Sequence, residues 1–232
     1  MKKIERFNDP QEMAKAAADI IVKISAASIK ERNRFSIALS GGNTPAILYA
    51  LLAQQPYRDK IDWQRIFIFW GDERCVPANS KDNNSHNAKR DLLDHVPLPP
   101  ENIFPVPVEL TPEMAAAEYD QTLKDFFKDQ LPQFDLILLG MGDNGHTASL
   151  FPHTNILHDT GALVKEVFVE EVNMWRISFT APLINHAAHI LFLVAGKEKE
   201  HMLKTVLDGP YRPDDYPAQL IRNATWLIGF KI

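Results

Sequence analysis

The sequence predicts a single α/β domain, residues 1–232, built on a mostly parallel sheet flanked by helices. Three observations predict it. Short apolar runs of β-forming residues alternate with segments whose apolar residues recur at helical spacing. One run, 134–140, is apolar almost without a break, as a strand buried on both faces of a parallel sheet must be. The chain has no internal repeat or low-complexity tract, and 232 residues at 45% hydrophobic content suffice for one sizeable core.

In chain order, Asp9 and Pro10 open the first helix: Asp9 suits the N-cap, Pro10 the first turn, and Glu12 completes a capping box. Met13, Ala17, Ile20, Ile24 and Ala27 follow at helical spacing. Residues 35–39 (FSIAL) read as a strand, and 45–54 as a helix begun by Pro45. The run 66–70 (IFIFW) is too short and too rich in β-formers for a helix. After an irregular Asn-rich stretch, 84–93 is helical. Pro97, Pro99, Pro100, Pro105 and Pro107 mark an extended connection, since apolar residues are interleaved where a linker between domains would be polar. Thr111 and Pro112 start a capped helix that runs to about Leu131 and turns Phe126 and Phe127 to the core. Strand 134–140 follows, then strands near 163–169, 176–179, 189–195 and 225–230, with a helix over 197–207.

Composition narrows the function. A net charge of −5 argues against a nucleic-acid face, which needs a surplus of Lys and Arg, but leaves room for a small anion held by a few local donors. The single cysteine, Cys75, can make neither an internal disulfide nor a thiolate metal cluster, and reads as structural rather than nucleophilic. The N-terminal MKKIERFNDP lacks the apolar core of a signal peptide, and no run approaches the ~20 apolar residues that span a bilayer. The expected location is the cytoplasm, away from membranes. His153, His158, His186, His189 and His201 show no metal-ligand spacing.

In open parallel sheets, ligands bind beyond the carboxyl ends of the strands. That rule selects three loops. In SGGNTP, residues 40–45, Gly41 and Gly42 let backbone approach a ligand, Ser40, Asn43 and Thr44 add donors, and the helix behind presents its positive end: either an anion cradle or a tight turn with a cap. It lacks the Gly-Lys-Ser/Thr ending of a Walker loop. In WGDERCVP, residues 70–77, Asp72, Glu73 and Arg74 crowd behind an apolar strand: one carboxylate pairs with Arg74 while the other faces substrate hydroxyls, or the whole is a solvated loop. In GMGDNGHTASLFP, residues 140–152, glycines shape a sharp loop that presents His146 among Asp143, Asn144, Thr147 and Ser149. An imidazole titrating near neutrality suits general-base work there. Farther on, Arg176 lies in a strand-like segment. Lys199 sits in the first turn of a helix, against the dipole preference, so it faces either solvent or an anion, with Lys197 as its competitor.

These three motifs, with DNNSHNAKRDLL after the second and PAQLIRN near the end, resemble the 6-phosphogluconolactonases in order and spacing over nearly the full length. That family sits in a larger group with the glucosamine-6-phosphate deaminases. The resemblance implies a modified Rossmann-like sheet, no cofactor or metal, and hydrolysis of 6-phospho-D-glucono-1,5-lactone to 6-phosphogluconate, an oxidative pentose phosphate step. It implies that Gly41, Gly42, Asn43 and Thr44, with Ser40, bind substrate, that Arg176 and Lys199 hold the phosphate, and that His146 is the catalytic histidine, with Asp72, Glu73 and Arg74 as the family's DER motif. The family loop usually reads Asp-Gly-His; here Asn144 stands in that place and can orient His146, leaving Asp143, one residue earlier, as the nearby charge.

On this reading His146 deprotonates a water that attacks the lactone carbonyl, Arg74 stabilises the oxyanion, and Asp72 holds hydroxyls or orients Arg74. A deaminase would need a catalytic Glu in a Phe-Asn-Glu-Pro ending; here Ser149, Leu150, Phe151 and Pro152 occupy it, and Phe151 cannot relay a proton. A non-catalytic sugar-phosphate binder on the same scaffold is the alternative from another class. The expected partner is a small phosphorylated sugar lactone, with the chain a monomer or homodimer.

Overall fold

The computed structural model describes residues 3–128 and 130–231. Strand β1 (Lys3–Arg6) and helix α1 (Pro10–Arg32) precede β2 (Phe35–Leu39), α2 (Asn43–Leu52), α3 (Tyr57–Lys60) and β3 (Ile66–Trp70). Then come β4 (Asp72–Arg74), α4 (Asn84–Asp91), α5 (Pro112–Phe127) and β5 (Leu136–Leu139). The chain closes with β6 (Val164–Val169), β7 (Met174–Phe179), α6 (Ala181–Asn185), β8 (Ile190–Ala195), α7 (Glu200–Asp208) and β9 (Thr225–Gly229).

Six strands form one sheet in the order β1-β9-β8-β5-β2-β3, every pair parallel. This is the mostly parallel α/β architecture that the apolar runs predicted. β5 lies inside it with all four residues buried, which is why its sequence shows no alternation. Buried Asp135, just before β5, accepts from the N–H (2.7 Å) and hydroxyl (2.9 Å) of Ser36 and pairs with Arg32, so a single carboxylate ties α1, β2 and β5 together. From β2 the chain moves outward to β3, then recrosses to β5 on the other side. The crevice therefore opens between the loops that leave β2 and β5.

Several boundaries differ from expectation for physical reasons. The Asp9 carboxylate caps Glu12 N–H at 2.8 Å as predicted, but Glu12 returns its bond to Asn8, not to Asp9. Helix α2 begins at Asn43, two residues before Pro45, because a proline fits anywhere in the first turn, where no N–H is needed. α5 stops at Phe127, where Lys128 turns left-handed (φ 54°); of the expected extension to Leu131, residue 129 lies outside the described residues. β1 went unread because four residues, KIER, carry no apolar pattern.

The largest correction concerns DER. It is strand β4, not a loop, and it joins β7 and β6 in a separate antiparallel sheet, order β4-β7-β6. Charge suggested solvent, yet Asp72 and Glu73 are buried by their neighbours.

Candidate active site

The cleft is built from the ends of both sheets. Loop 40–45 leaves β2 and enters α2 through Gly42, which brings no capping side chain. Since Pro45 has no N–H, the first-turn donors at this helix end are the backbone N–H groups of Asn43 and Thr44, which no side chain among the described residues caps. Tyr49 of α2 pins the loop from behind, donating its hydroxyl to Ser40 O (2.7 Å) and accepting from Ser40 N–H (3.1 Å). Gly41 is required by contact: a Cβ there would lie 1.8 Å from Oδ1 of Asn84. Asn84 donates to Asp72 O (2.9 Å), and its buried Oδ1 has no partner among the described residues.

Along β4 the three charges separate. Asp72 accepts from the Ser149 hydroxyl at 2.7 Å, which fastens β4 to the His146 loop. Glu73, wholly buried, accepts from the N–H groups of Arg74 (2.8 Å), Asn84 (2.7 Å) and Ser85 (2.8 Å), so it closes the open end of α4. Burial pushes its carboxyl up to about 7, against those same three bonds. The expected pairing of a DER carboxylate with Arg74 does not form; Arg74 donates from Nη1 to Asp82 O at 2.7 Å.

Arg74 stands directly across the β4–β7 ladder from Arg176. The Nε atoms of both are buried without a partner among the described residues, and burial lowers the pKa of Arg176. Like charges facing across a ladder disfavour each other, and Asp72 and Glu73 offset part of that repulsion at Arg176. Lys199 arrives from the opposite wall, at the turn before α7. Its Nζ donates to Met141 O (2.7 Å) and lies 3.9 Å from Asp143. Of the two lysines, Lys199 lines this cleft, while Lys197 is exposed and does not.

The third loop folds on itself: Thr147 Oγ1 donates to Gly140 O (2.8 Å) and Gly142 N–H to His146 O (2.9 Å). The His146 ring lies over Gly142, where a Cβ would fall 2.0 Å from Cε1, and stacks on Phe151 with centroids 3.9 Å apart. Asn144 Oδ1 accepts from the backbone N–H of His146 (3.1 Å) and sits 2.6 Å from its Nδ1, while Asn144 Nδ2 donates to Glu171 Oε2 (2.8 Å). These contacts determine the tautomer. A carboxylate only accepts, so the amide must turn its NH₂ to Glu171; a backbone N–H only donates, so Oδ1 must face His146. Nδ1 therefore carries the proton, and Nε2 is left with a free lone pair. Burial, then Arg176, Lys199 and Arg74, push the imidazole down to about 4, so it is neutral at ordinary pH.

Ser40, Gly41, Gly42, Asn43, Thr44, Asp72, Arg74, His146, Arg176 and Lys199 all line one cleft of about 310 Å³. Asn144 lies behind His146, outside that lining. A wider groove of about 1110 Å³ runs on the far side of Asn144 and Phe151, past Phe168 and Trp175. It lacks the arginine pair and the glycine loops, so the convergence of groups, rather than size, selects the smaller cleft. The lone thiol takes no part: burial raises Cys75 to about 11, leaving it protonated. Asn84, Tyr49 and Glu171 were not anticipated. Asn84 alone had a signal, its place in the Asn-rich run behind DER.

The family profile described as glucosamine-6-phosphate isomerases/6-phosphogluconolactonase matches residues 8–228. A 6-phosphogluconolactonase of Synechocystis sp. is 43% identical over 208 residues, 87% of this chain and 84% of its own length. One of Nostoc sp. is 39% identical over 234 residues, 98% of this chain and 95% of its own. A solved 6-phosphogluconolactonase of Thermotoga maritima superposes with a TM-score of 0.85 at 28% identity, covering 99% of this chain and 100% of that one.

Proposed function

The chain belongs to the glucosamine-6-phosphate isomerases/6-phosphogluconolactonase family, and from that premise we propose that it is a 6-phosphogluconolactonase with His146 as general base. The observation that carries the mechanism is the tautomer: a neutral imidazole with a bare Nε2 at a cleft where Arg74, Arg176 and Lys199 converge. Nε2 takes a proton from water as its oxygen attacks the C1 carbonyl. The tetrahedral oxyanion forms beside Arg74, whose buried Nε is unpartnered among the described residues. The C1–ring-oxygen bond then breaks, and His146 returns the proton to the departing oxygen, giving one carboxylic acid and one hydroxyl. Arg176 and Lys199 hold the 6-phosphate, and the N–H groups of Asn43 and Thr44 donate to it beside Lys199. Sugar lactones are reactive esters, so no covalent nucleophile is needed. Where the deaminases carry a catalytic Glu this chain has Phe151, stacked on His146, which disfavours the isomerase branch of the family.

The test is proton release from freshly made 6-phosphogluconolactone, measured against its spontaneous hydrolysis. His146→Ala should lower kcat by about 10²–10⁴-fold with KM little changed, whereas Arg176→Ala should chiefly raise KM. Near-normal turnover in H146A would remove His146 from the mechanism, and ammonia released from glucosamine 6-phosphate would overturn the lactonase reading.

A further inference from the structure

Asn144 does not act alone. Its NH₂ is held by Glu171, which lies in the tight 170–172 turn joining β6 to β7, the hairpin that also carries Arg176. If the Asn144 amide rotated by half a turn, its NH₂ would meet the backbone N–H of His146 and its oxygen would meet the Glu171 carboxylate. Both contacts would be repulsive. In that flipped state an amide donor would face Nδ1, the ring proton would move to Nε2, and no basic nitrogen would face the cleft. Asp143 is not a substitute: its side chain is 84% exposed and turned towards Lys199.

We propose that Glu171 is a positioning residue of the hydrolysis: through the Asn144 carboxamide it holds His146 in the Nδ1–H form, so that Nε2 can accept the proton of the attacking water. The proposal rests on the lactonase reading and deepens it. It also accounts for Asn at position 144. An Asp there would set two carboxylates at hydrogen-bond distance, where both cannot stay ionised without cost. Asn is the residue that can donate to Glu171 and accept from His146 at once. The carboxylate thus acts on the imidazole through an amide dipole rather than by direct contact.

The test compares wild type, Glu171→Ala, Glu171→Gln, Asn144→Asp and the Asn144→Asp/Glu171→Gln double variant, with His146→Ala as reference. Steady-state kinetics are read beside the ring-nitrogen tautomer of His146, taken from two-bond proton–nitrogen correlations in protein labelled with ¹⁵N-histidine. E171A should lose kcat by about 10-fold, the low end of what outer partners of metal-ligating histidines contribute, with KM unchanged. Its His146 signals should shift from the Nδ1–H pattern towards a mixture. E171Q, which still offers an acceptor oxygen, should recover most of both. N144D should be impaired, and adding E171Q should rescue it, because Gln can donate to Asp. A kcat loss in E171A with the tautomer unchanged would overturn the proposal as a merely structural effect. Wild-type kcat and tautomer in E171A, with H146A inactive, would overturn the role of Glu171 alone; turnover surviving in H146A would overturn the reading beneath it.

Discussion

His146 is held neutral first by its burial and then by the same cations proposed to hold the substrate. Burial and the charges of Arg176, Lys199 and Arg74 bring it down to about 4, so the deprotonated form, the one the proposed mechanism needs, persists above that pH and is lost as pH falls through it. An anion seated on Arg176 and Lys199 cancels part of that field. The imidazole should then become more basic once substrate is bound, which is when basicity is useful. Histidine NMR titration checks this directly: His146 should titrate near 4 in the free protein and move upward when 6-phosphogluconate is added. A free-protein midpoint near 6.5 would mean that neither burial nor the cations act on this ring. His146, Gly142 and Asn144 were legible in one loop because they are neighbours in sequence. Glu171, 27 residues beyond Asn144, and Asn84, 43 beyond Gly41, reach the site only through folding, and no local pattern announces such contacts.

At the scale of elements, strand β4 departs most from what its composition suggests. Apolar runs announced β2, β3, β5 and β8, and prolines with their caps announced α1 and α5, because in those segments local preference and burial agree. In β4 they disagree. Three charged residues form a strand because β7 supplies the ladder and α4 supplies N–H groups for Glu73. The three residues divide their work: Glu73 caps a helix, while Asp72 and Arg74 line the cleft. Glu73→Ala would leave three backbone N–H groups without their acceptor, at a cost of about 3 kcal/mol when the low end of about 1 kcal/mol is taken for each. For a chain of this size that corresponds to a Tm lower by roughly 5–10 °C. Thermal unfolding of E73A followed by circular dichroism checks it, and a Tm within a degree or two of wild type would show that the first turn of α4 is held by other means.

For the whole molecule, the cleft lies along the seam between the two sheets. The parallel sheet contributes the β2 and β5 loops and Lys199; the antiparallel sheet contributes Arg74 and Arg176. An overall charge of −5 coexists with this cationic cleft because recognition of a small anion is local. That a mostly parallel sheet would bring the β2 and β5 loops to one cleft was legible from the apolar runs and the glycines that follow them. That a second sheet would supply the opposite wall was not, since β6 and β7 look like any other strands until their pairing is known. Buried apolar residues of both sheets, Ile177 and Phe179 with Leu136 and Leu138 among them, share one continuous core. A ligand that bridges the seam should therefore stabilise the molecule as a unit. At about 100 times its Kd, 6-phosphogluconate would add about 2.7 kcal/mol, raising Tm by roughly 5–10 °C in a single calorimetric transition. Arg176→Ala should abolish that rise at the same ligand concentration. Two transitions, with only one responding to ligand, would mean instead that the sheets unfold separately and that the seam is a contact between independent units.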